Sequence, residues 1–301
     1  MKILLLGANG QVGWELQRSL VPLGQLLACD RDSADLENFD QLTTTIREYS
    51  PDIIVNAAAY TAVDQAESEP DKARRINAEA VALIATETKR LGAWLVHYST
   101  DYVFDGSKAT AYTETDIPNP VSIYGQSKLA GEEAIRDSAC DHLIFRTSWV
   151  YAARGSNFAK TMLRLASERD ELKVVCDQIG VPTSAELIAD ITALGLYRIL
   201  ADRPFGEQAV GTYHLSPGGE TNWHEYAQYV ISEALQAGFT LNARPEQMDP
   251  ITTNEYPLPA RRPANSRLDT KKLTNMFKVY LPHWQYHVKR LVSEFSIRDE
   301  L

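Results

Sequence analysis

The first half of the chain alternates short apolar runs with longer stretches in which apolar residues recur every three or four positions. The runs have the length and continuity of parallel strands buried on both faces, and the longer stretches have the periodicity of helices. The predicted strands cover residues 3–6, 25–29, 51–55, 93–98 and 142–145. The predicted helices cover residues 14–20, 40–49, 71–91 and 127–138. This alternation predicts an α/β fold of Rossmann type, a doubly wound parallel sheet.

The alternation is lost after residue 150. Helices are predicted at residues 157–169, 185–200 and 221–237 and at the C-terminal end, with a short strand at 211–216. This half is too irregular to form a sheet of its own, so we expect a smaller lobe over the carboxyl edge of the main sheet, where ligands bind. The predicted division is a dinucleotide-binding domain at residues 1–150 and a mainly substrate-binding lobe at residues 151–301, with some segments returning to the first domain.

Three glycines follow the first predicted strand directly. Gly7, Gly10 and Gly13 have a G-x-x-G-x-x-G spacing, enclose Gln11 and Val12, and lead into a helix. Glycine permits a tight turn and a close approach to a pyrophosphate, which the free amides and dipole of the helix start bind. A strand, a glycine turn and a helix in this order predict a dinucleotide site, which we favour over a glycine turn without a ligand.

The second predicted strand ends in Asp30 and Arg31, near the position where an acidic residue holds the adenosine ribose. Asp30 favours NAD, whereas Arg31 could meet the 2′-phosphate of NADP, so the choice between NADH and NADPH stays open. Small residues after the third strand would let a ligand lie across its end. Further cofactor contacts are predicted at Asp35, Leu36, Ala58, Ala59, Tyr60 and Tyr98.

Tyr124 and Lys128 lie four residues apart on a predicted helix and therefore project from the same face. A free tyrosine has a pKa of about 10, and a neighbouring lysine cation lowers that pKa toward the working range of a proton donor. The spacing alone is common by chance, and a solvated lysine packed on a tyrosine is the simpler alternative. Thr100, a hydroxyl at the carboxyl end of the fourth strand, adds a third candidate on the ligand side of the sheet.

Composition narrows the classes of protein and partner. The chain has 301 residues, 44% hydrophobic and 23% charged, which suits a globular protein with a large core. A net charge of −10, with only short basic clusters, disfavours nucleic acid as a partner. No apolar run approaches the roughly 20 residues of a membrane span, and the first run is too short for a secretion signal. We therefore expect a cytoplasmic protein without a membrane partner.

Cysteine and histidine usage gives no sign of a disulfide framework or a histidine metal site. The three cysteines are widely spaced and fit reduced thiols in a cytoplasm. The six histidines have no metal-ligand spacing. His97 and His214 lie on predicted strands, and we expect both to be structural.

The order of the glycine turn, Thr100, Tyr124 and Lys128 resembles the extended short-chain dehydrogenase/reductase superfamily, whose members mostly act on nucleotide sugars. Within it, the chain resembles the dTDP-4-dehydrorhamnose reductase family over essentially its whole length. The matching stretches are residues 99–106 (STDYVFDG), 124–132 (YGQSKLAGE), 145–151 (FRTSWVY), 262–263 (RP) and 265–268 (NSRL). No catalytic position of the pattern is broken.

The resemblance implies reduction of the C4 ketone of dTDP-4-dehydro-6-deoxy-L-mannose to dTDP-L-rhamnose by NADPH or NADH. It implies that Tyr124 donates the proton, that Lys128 lowers the tyrosine pKa and holds the nicotinamide ribose, and that Thr100 hydrogen-bonds the reacting oxygen. The implied contacts to the dTDP-sugar are Thr100, Asp101, Tyr124, Trp149, Asn157, Arg261 and Arg262. The two arginines suit phosphate oxygens.

The resemblance further implies a homodimer with Mg²⁺ held by carboxylates at Glu15, Glu186 and Glu294. Two other functions stay open. A regulatory subunit would bind NADP without catalysis, although it would not need all three residues Thr100, Tyr124 and Lys128. An epimerase, or a reductase of the opposite stereochemistry at C4, would use the same residues.

Overall fold

A six-stranded parallel sheet forms the centre of the protein in the computed structural model, which describes residues 1–298. The strands are β1 Lys2–Leu6, β2 Gln25–Cys29, β3 Ile53–Asn56, β4 Trp94–Thr100, β5 Asp141–Thr147 and β6 Gly211–His214. Their spatial order is β2-β1-β3-β4-β5-β6, and all neighbours are parallel. The order reverses between β1 and β3, which confirms the predicted doubly wound α/β class. The last residues of the predicted lobe, 299–301, lie outside the described part.

Helices cover both faces of the sheet and build the lobe beside it. The longer helices are α1 Gln11–Leu20, α2 Phe39–Tyr49, α3 Ala80–Leu91, α4 Ile123–Ser138, α5 Phe158–Glu168, α6 Ala185–Ala201, α7 Trp223–Gln236 and α8 Trp284–Arg298. Shorter helices are Val63–Ala66, Pro70–Arg74, Arg203–Ala209 and Lys271–Phe277. Short strands pair Val150–Tyr151 with Thr183–Ser184, Leu172–Val175 with Met248–Ile251, and Ile179–Gly180 with Thr221–Asn222. No helix among residues 1–298 combines the length and the apolar character needed to cross a bilayer.

The continuous apolar runs of the strands follow from burial on both faces. In β1, Ile3 and Leu5 pack with α1 and α6 on one side, while Leu4 and Leu6 pack with α2 and α3 on the other. All four side chains are fully buried. A strand between two helical layers has no solvent face, so the polar alternation of an exposed sheet is absent.

The helix predicted at residues 71–91 contains a π-helical turn at Arg75–Glu79 between Pro70–Arg74 and α3. Buried Asn77 lies in this turn and donates to Ser127 of α4 at 3.0 Å. Such turns widen a helix locally and often occur at functional sites. Gly92 ends α3 in the left-handed conformation, as its position predicts.

The second half of the chain contributes to both bodies. α6 packs beside α1, and β6 forms the sheet edge next to β5. The lobe has a separate apolar core between α5, α7 and α8, with Tyr226 and Trp284 fully or almost fully buried in it. All of the lobe core therefore lies after the predicted boundary at residue 150. The sheet domain does not end there, because β6 and α6 complete it.

Residues 262–268, which we name the clasp, tie the lobe to the loop that follows β4. Asn265 donates hydrogen bonds to the carbonyl oxygens of residues 108 and 110 at 2.7 and 2.8 Å. The clasp also bridges Ile179 in the lobe, through Ser266 N to Ile179 O at 2.7 Å. A Cβ on Gly106 would lie 2.6 Å from the Pro263 ring, so the loop and the clasp are in close backbone contact.

The turn between β1 and α1 has no room for side chains at two glycines. Gly7 has a φ of +81°, and a Cβ there would lie 2.6 Å from Ala58 N. A Cβ on Gly13 would lie 2.0 Å from Gly7 O. No side chain caps the first amides of α1, which begin at the point where the strand order reverses. This is the geometry of an anion site at a helix start.

A buried ion pair joins α4 to β5. Arg146 donates to both carboxylate oxygens of Glu132, at 2.6 and 2.9 Å, and the side chains are 3% and 0% exposed. Burial acts to raise the pKa of Glu132, but the hydrogen bond and charge of Arg146 prevail and lower it below its ordinary value. Removal of either partner leaves a buried charge without its counterion.

We expect Glu132→Gln to lower the free energy of unfolding by about 3 kcal/mol, because it keeps the shape of the side chain but leaves Arg146 uncompensated. Urea unfolding measures this change. Glu168→Gln is the matched control, since Glu168 pairs with Arg164 at an exposed site and should change stability by less than about 1 kcal/mol. Equal effects of the two substitutions would contradict the structural role of the buried pair.

We expect Gly13→Ala to lower the free energy of unfolding by about 1–3 kcal/mol, because the new methyl group overlaps Gly7 O and forces the turn apart. Gly195→Ala in α6 is the control. Its Cβ would meet Phe277 at an ordinary 3.5 Å, and alanine favours a helix interior by up to about 1 kcal/mol. Thermal and urea unfolding of both variants check the contrast, and an unchanged Gly13→Ala protein would refute it.

Candidate active site

The adenosine side of the predicted cofactor site lies at the end of β2. Asn9 donates to Asp30 at 3.1 Å, and hydrogen bonds from Ser33 lower the pKa of Asp30. Arg31 is exposed and pairs with Glu37 at 2.5 Å and Asp35 at 3.5 Å. Asp30 is therefore charged and held by its neighbours, while the Arg31 guanidinium already has two carboxylate partners.

The remaining predicted cofactor residues differ in where their side chains point. Leu36 is buried in the core beside α2, and Ala58 and Ala59 are half-buried directly after β3. The Tyr60 amide donates to Asn77 of the π-helical turn at 2.9 Å. Tyr98 lies in the core, with its hydroxyl 2.8 Å from Thr192, so only its backbone faces the cleft side. Gln11 and Val12 are half-buried in the turn.

Thr100, Tyr124 and Lys128 lie together at the carboxyl end of β4. Ser122 caps α4 through a hydrogen bond from the Gly125 amide at 3.1 Å, so the helix begins one residue before Tyr124. The Thr100 hydroxyl lies near the Tyr124 phenol and acts to lower its pKa. The Thr100 hydroxyl and the Tyr124 phenol thus lie close together, and Lys128 lies one helical turn further along α4 with its amine at the Tyr98 carbonyl oxygen.

Lys128 lies deep in the protein, 2% exposed. Its Nζ donates to the Tyr98 carbonyl oxygen at 2.7 Å and lies 3.2 Å from His97 Nε2. Burial lowers the pKa of Lys128 to about 8, although the charge of Glu132 acts in the opposite direction. The amine is therefore close to losing its charge near neutral pH.

The pKa of Tyr124 is raised, first by burial and then by the negative charge of Asp101, while the hydrogen bond with Thr100 lowers it. The expected lowering by Lys128 is not among the main influences in this arrangement. The reason is geometric, because the lysine amine is engaged with His97 and the Tyr98 carbonyl. A proton donor with a high pKa gives up its proton only when strong negative charge develops on the acceptor.

Asp101 provides an unsatisfied acceptor inside the site. Thr100 donates to its Oδ1 at 3.1 Å, and Ser266 of the clasp lies near the carboxylate and acts to lower its pKa. Its Oδ2 is buried without a hydrogen-bond partner. Burial raises the pKa of Asp101 to about 6. A buried oxygen of this kind accepts a hydrogen bond from a ligand at little cost.

The residues predicted to contact the sugar and pyrophosphate have different surroundings. Trp149, in the left-handed conformation with a φ of 47°, stacks on Trp223 with the ring centroids 3.7 Å apart. A Cβ on Gly180 would lie 2.7 Å from the Trp149 ring, so the Gly180 backbone also packs closely against this ring. Non-glycine residues with this backbone conformation are uncommon and cluster at functional sites.

Arg262 is already paired within the protein. Its guanidinium donates to Asp64 at 2.8 Å and to the Tyr102 hydroxyl at 3.0 Å. Arg261 is exposed at the surface. Asn157 caps α5 and donates to Gln11 at 3.0 Å, so its amide links the lobe to the glycine turn. The roles of these three residues toward a substrate stay predictions.

The three predicted metal ligands line one small cavity. Glu15, Glu186 and Glu294 come from α1, α6 and α8, and burial and then Glu186 raise the pKa of Glu15. Arg290 pairs with Glu186 at 3.0 Å and with Glu294 at 3.6 Å. Across the described residues, no group of three or more histidine, cysteine, aspartate and glutamate side chains is spaced to hold a metal ion. The carboxylates converge, but an arginine lies among them.

Sequence patterns missed the partners of the buried lysine. His97, predicted to be structural, contacts Lys128, and Asn56 at the end of β3 contacts His97 in turn. Ser266 was also missed as a partner of Asp101. A lysine buried beside a sheet needs hydrogen-bond acceptors inside the protein. That requirement is the one signal in the sequence that could have indicated polar partners on the adjoining strands.

Known proteins match the chain over nearly its full length. The family described as "RmlD substrate binding domain" matches residues 1–297. The dTDP-4-dehydrorhamnose reductase of Shigella flexneri is 52% identical over 298 residues, 98% of each chain.

Solved structures agree in sequence and in shape. That of dTDP-4-dehydrorhamnose reductase from Bacillus anthracis in complex with NADP is 36% identical, covers 97% of this chain and 99% of its own, and has a TM-score of 0.85. The structure of a dTDP-4-dehydrorhamnose reductase from Clostridium acetobutylicum is 33% identical in sequence, covers 100% of both chains, and has a TM-score of 0.86. Identity at this level over whole chains, together with the reactive residues assembled at the carboxyl end of β4, shows that the chain belongs to the dTDP-4-dehydrorhamnose reductase family.

Proposed function

We propose that the protein reduces the C4 ketone of dTDP-4-dehydro-6-deoxy-L-mannose to dTDP-L-rhamnose with a reduced nicotinamide dinucleotide, the last step of dTDP-rhamnose synthesis. The observation that carries the proposal is the convergence of Thr100, Tyr124 and Lys128 in a chain 52% identical to a named reductase of this reaction. The enzyme class, an oxidoreductase of nucleotide sugars, follows from the family.

The glycine turn fits a dinucleotide. The close contacts at Gly7 and Gly13 leave a backbone cradle, and the uncapped start of α1 offers amides to a pyrophosphate. When bound, the reduced nicotinamide supplies the hydride for C4. The relative from Bacillus anthracis was solved with NADP, which supports this class of cofactor. Asp30 favours NADH and Arg31 favours NADPH, and we propose that both are accepted.

The side chains around the ketone supply the proton and the positioning. Thr100 orients the carbonyl oxygen by a hydrogen bond, and Tyr124 gives its phenol proton to that oxygen as negative charge develops. The product is an alcohol, and solvent returns a proton to the phenolate. Asp101 Oδ2, without a partner inside the protein, is suited to accept a sugar hydroxyl. Trp149 offers a fixed aromatic face to the sugar or base.

We expect Tyr124→Phe to lower kcat by about 10²–10⁴, the range for a lost general acid, while the affinity for NADPH stays within about twofold. Spectrophotometric oxidation of NADPH and of NADH by the keto sugar measures the rate, and fluorescence titration measures cofactor binding. Tyr280→Phe, at an exposed position, is the control.

Two outcomes of this assay would go against the proposal. Near-normal turnover by Tyr124→Phe would remove the assigned proton donor. Wild-type protein that binds NADPH but never oxidises it with the keto sugar would favour the regulatory-subunit alternative. NMR of the product sugar separates dTDP-L-rhamnose from the opposite configuration at C4.

We also propose that the protein works in the cytoplasm as a homodimer that Mg²⁺ stabilises at Glu15, Glu186 and Glu294. The chemistry of the donors fits, because hard cations prefer carboxylate oxygens. Support comes from the crowding of these carboxylates, since the charges of Glu186 and Glu294 add to burial in raising the pKa of Glu15. Arg290 would have to release Glu186 and Glu294 for the metal to bind.

Equilibrium sedimentation with and without a chelator tests the metal. We expect chelation to reduce the dimer fraction of the wild-type protein and to leave Glu186→Gln unaffected, since that variant has already lost a ligand. Glu246→Gln, outside this cavity, should behave as the wild type. A dimer that is indifferent to the chelator would rule out the magnesium part of the proposal.

A further inference from the structure

A buried polar chain runs from β3 through β4 to the reactive lysine. Asn56 and His97 are register partners on neighbouring strands, and their side chains meet with Nδ2 of Asn56 3.2 Å from Nδ1 of His97. The other imidazole nitrogen, Nε2, lies 3.2 Å from Lys128 Nζ. The three side chains are at most 2% exposed, so each hydrogen must be matched with an acceptor inside the protein.

Hydrogen bonds fix which nitrogen of His97 carries the proton. The Ala58 amide donates to Asn56 Oδ1 at 3.2 Å. The Asn56 amide nitrogen, a donor only, therefore faces His97 Nδ1, which must accept. A neutral imidazole with an accepting Nδ1 carries its proton on Nε2, and this N–H points at Lys128. The opposite amide orientation would bring the Asn56 NH₂ group against the Ala58 N–H.

The protonation state of Lys128 follows from the same matching. A lysine ammonium has three N–H groups and no lone pair, so it cannot accept from His97 Nε2–H. A neutral amine can accept that hydrogen and still donate to the Tyr98 carbonyl oxygen at 2.7 Å. The N–H donor that His97 presents is thus matched by a neutral Lys128 amine, which can accept it, and mismatched with an ammonium, which cannot.

We propose that His97 is a positioning residue that, oriented by Asn56, presents its Nε2–H to Lys128 and favours the neutral amine before ligands bind. The inference rests on the proposed function only in naming Lys128 as the lysine of the reactive site. It assigns to His97 a role in setting the charge beside Tyr124, which is the group that must give up a proton.

Burial acts in the same direction as this assignment, whereas the charge of Glu132 acts against it. Burial lowers the pKa of Lys128 to about 8. Burial and then the charge of Lys128 lower the pKa of His97 well below its ordinary value, so the imidazole stays neutral. Glu132 on the same helix favours the ammonium, but Arg146 on β5 and Arg136 on α4 both bind that carboxylate. Tyr98, whose backbone carbonyl accepts from the amine, and Tyr124 on the same helix are neutral phenols with raised pKa values.

Asn56→Asp reverses the direction of the hydrogen bonds between residue 56, His97 and Lys128, with little change in the shape of the side chain. The new carboxylate still accepts from the Ala58 amide, and its second oxygen accepts from His97 Nδ1–H. The proton then leaves Nε2, which becomes an acceptor for an ammonium. We expect the pKa of Lys128 to rise by at least about one pH unit, a tenfold shift in its protonation equilibrium. NMR titration of protein with lysine labelled at ¹³Cε measures it, with Lys128→Arg used to assign the signal.

A double-mutant cycle separates the tautomer from the added negative charge. His97→Leu removes the N–H and should raise the pKa of Lys128, whereas His97→Gln keeps an N–H donor and should leave it within about 0.3 pH units of the wild type. In the His97→Leu background, Asn56→Asp acts by charge alone, so its shift should be clearly smaller than in the wild type.

The inference is overturned if the Lys128 pKa does not change in Asn56→Asp, or if Asn56→Asp shifts it equally with and without His97. Should His97→Leu not fold, His97→Phe, which also lacks a polar side-chain atom, takes its place in the cycle, and an equal shift there has the same meaning. The titration uses free enzyme and needs no turnover. The titration can therefore be interpreted even if the protein is not a reductase. The enzyme assay can likewise be interpreted even if the proposal for His97 fails.

Discussion

Parallel strand pairing is the constraint from which the site follows. Because all six strands run in the same direction, their carboxyl ends meet at one edge of the sheet. The glycine turn after β1, the small residues after β3 and Thr100 at the end of β4 are separated by dozens of residues in sequence. The sheet brings them side by side, so strand direction alone gathers the glycine turn and the Thr100 hydroxyl at one place.

The helix that carries Tyr124, the proposed proton donor, is fixed against this edge by backbone contacts. A Cβ on Gly125 would lie 2.2 Å from Tyr102 O, and one on Gly131 would lie 2.2 Å from Asn77 O. α4 therefore approaches its neighbours as closely as the backbone permits at both points. Beyond Gly131, the Glu132–Arg146 pair joins the helix to β5. Tyr124 and Lys128 gain their positions from a rigid support, which is what a reactive site requires.

Local patterns in the sequence predicted the features that depend on local chemistry. The strands, the glycine turn after β1 and the end of α3 at Gly92 follow from apolar runs and backbone freedom, which nearby residues determine. The spacing of Tyr124 and Lys128 also placed both on one helix. These local patterns could not predict contacts between residues that are far apart in the sequence. Asn56 faces His97 because of the register between β3 and β4, and that register is set by the packing of the whole sheet.

The same distinction between local patterns and long-range contacts explains where the structure differs from the predictions for charged residues. The sequence places Lys128 near Tyr124, but it does not show that buried acceptors on β4 draw the amine away from the phenol. Arg262 is suited to phosphate by its chemistry, yet the fold supplies Asp64 as a counterion. The meeting of Glu15, Glu186 and Glu294 depends on the convergence of three helices, so the family resemblance alone predicted it.

The clasp has a consequence for the order in which the protein matures on the ribosome. Its bonds to residues 108 and 110 connect positions more than 150 residues apart in the chain. Nascent chains fold from the N-terminus as domains emerge, and contacts of such long separation form late. The glycine turn and the first strands can thus assemble while the loop after β4 still lacks its final support. Truncation just before the clasp would also remove Leu273 and Phe277, which are buried in the core beside β5 and β6, so the sheet would lose part of its core as well.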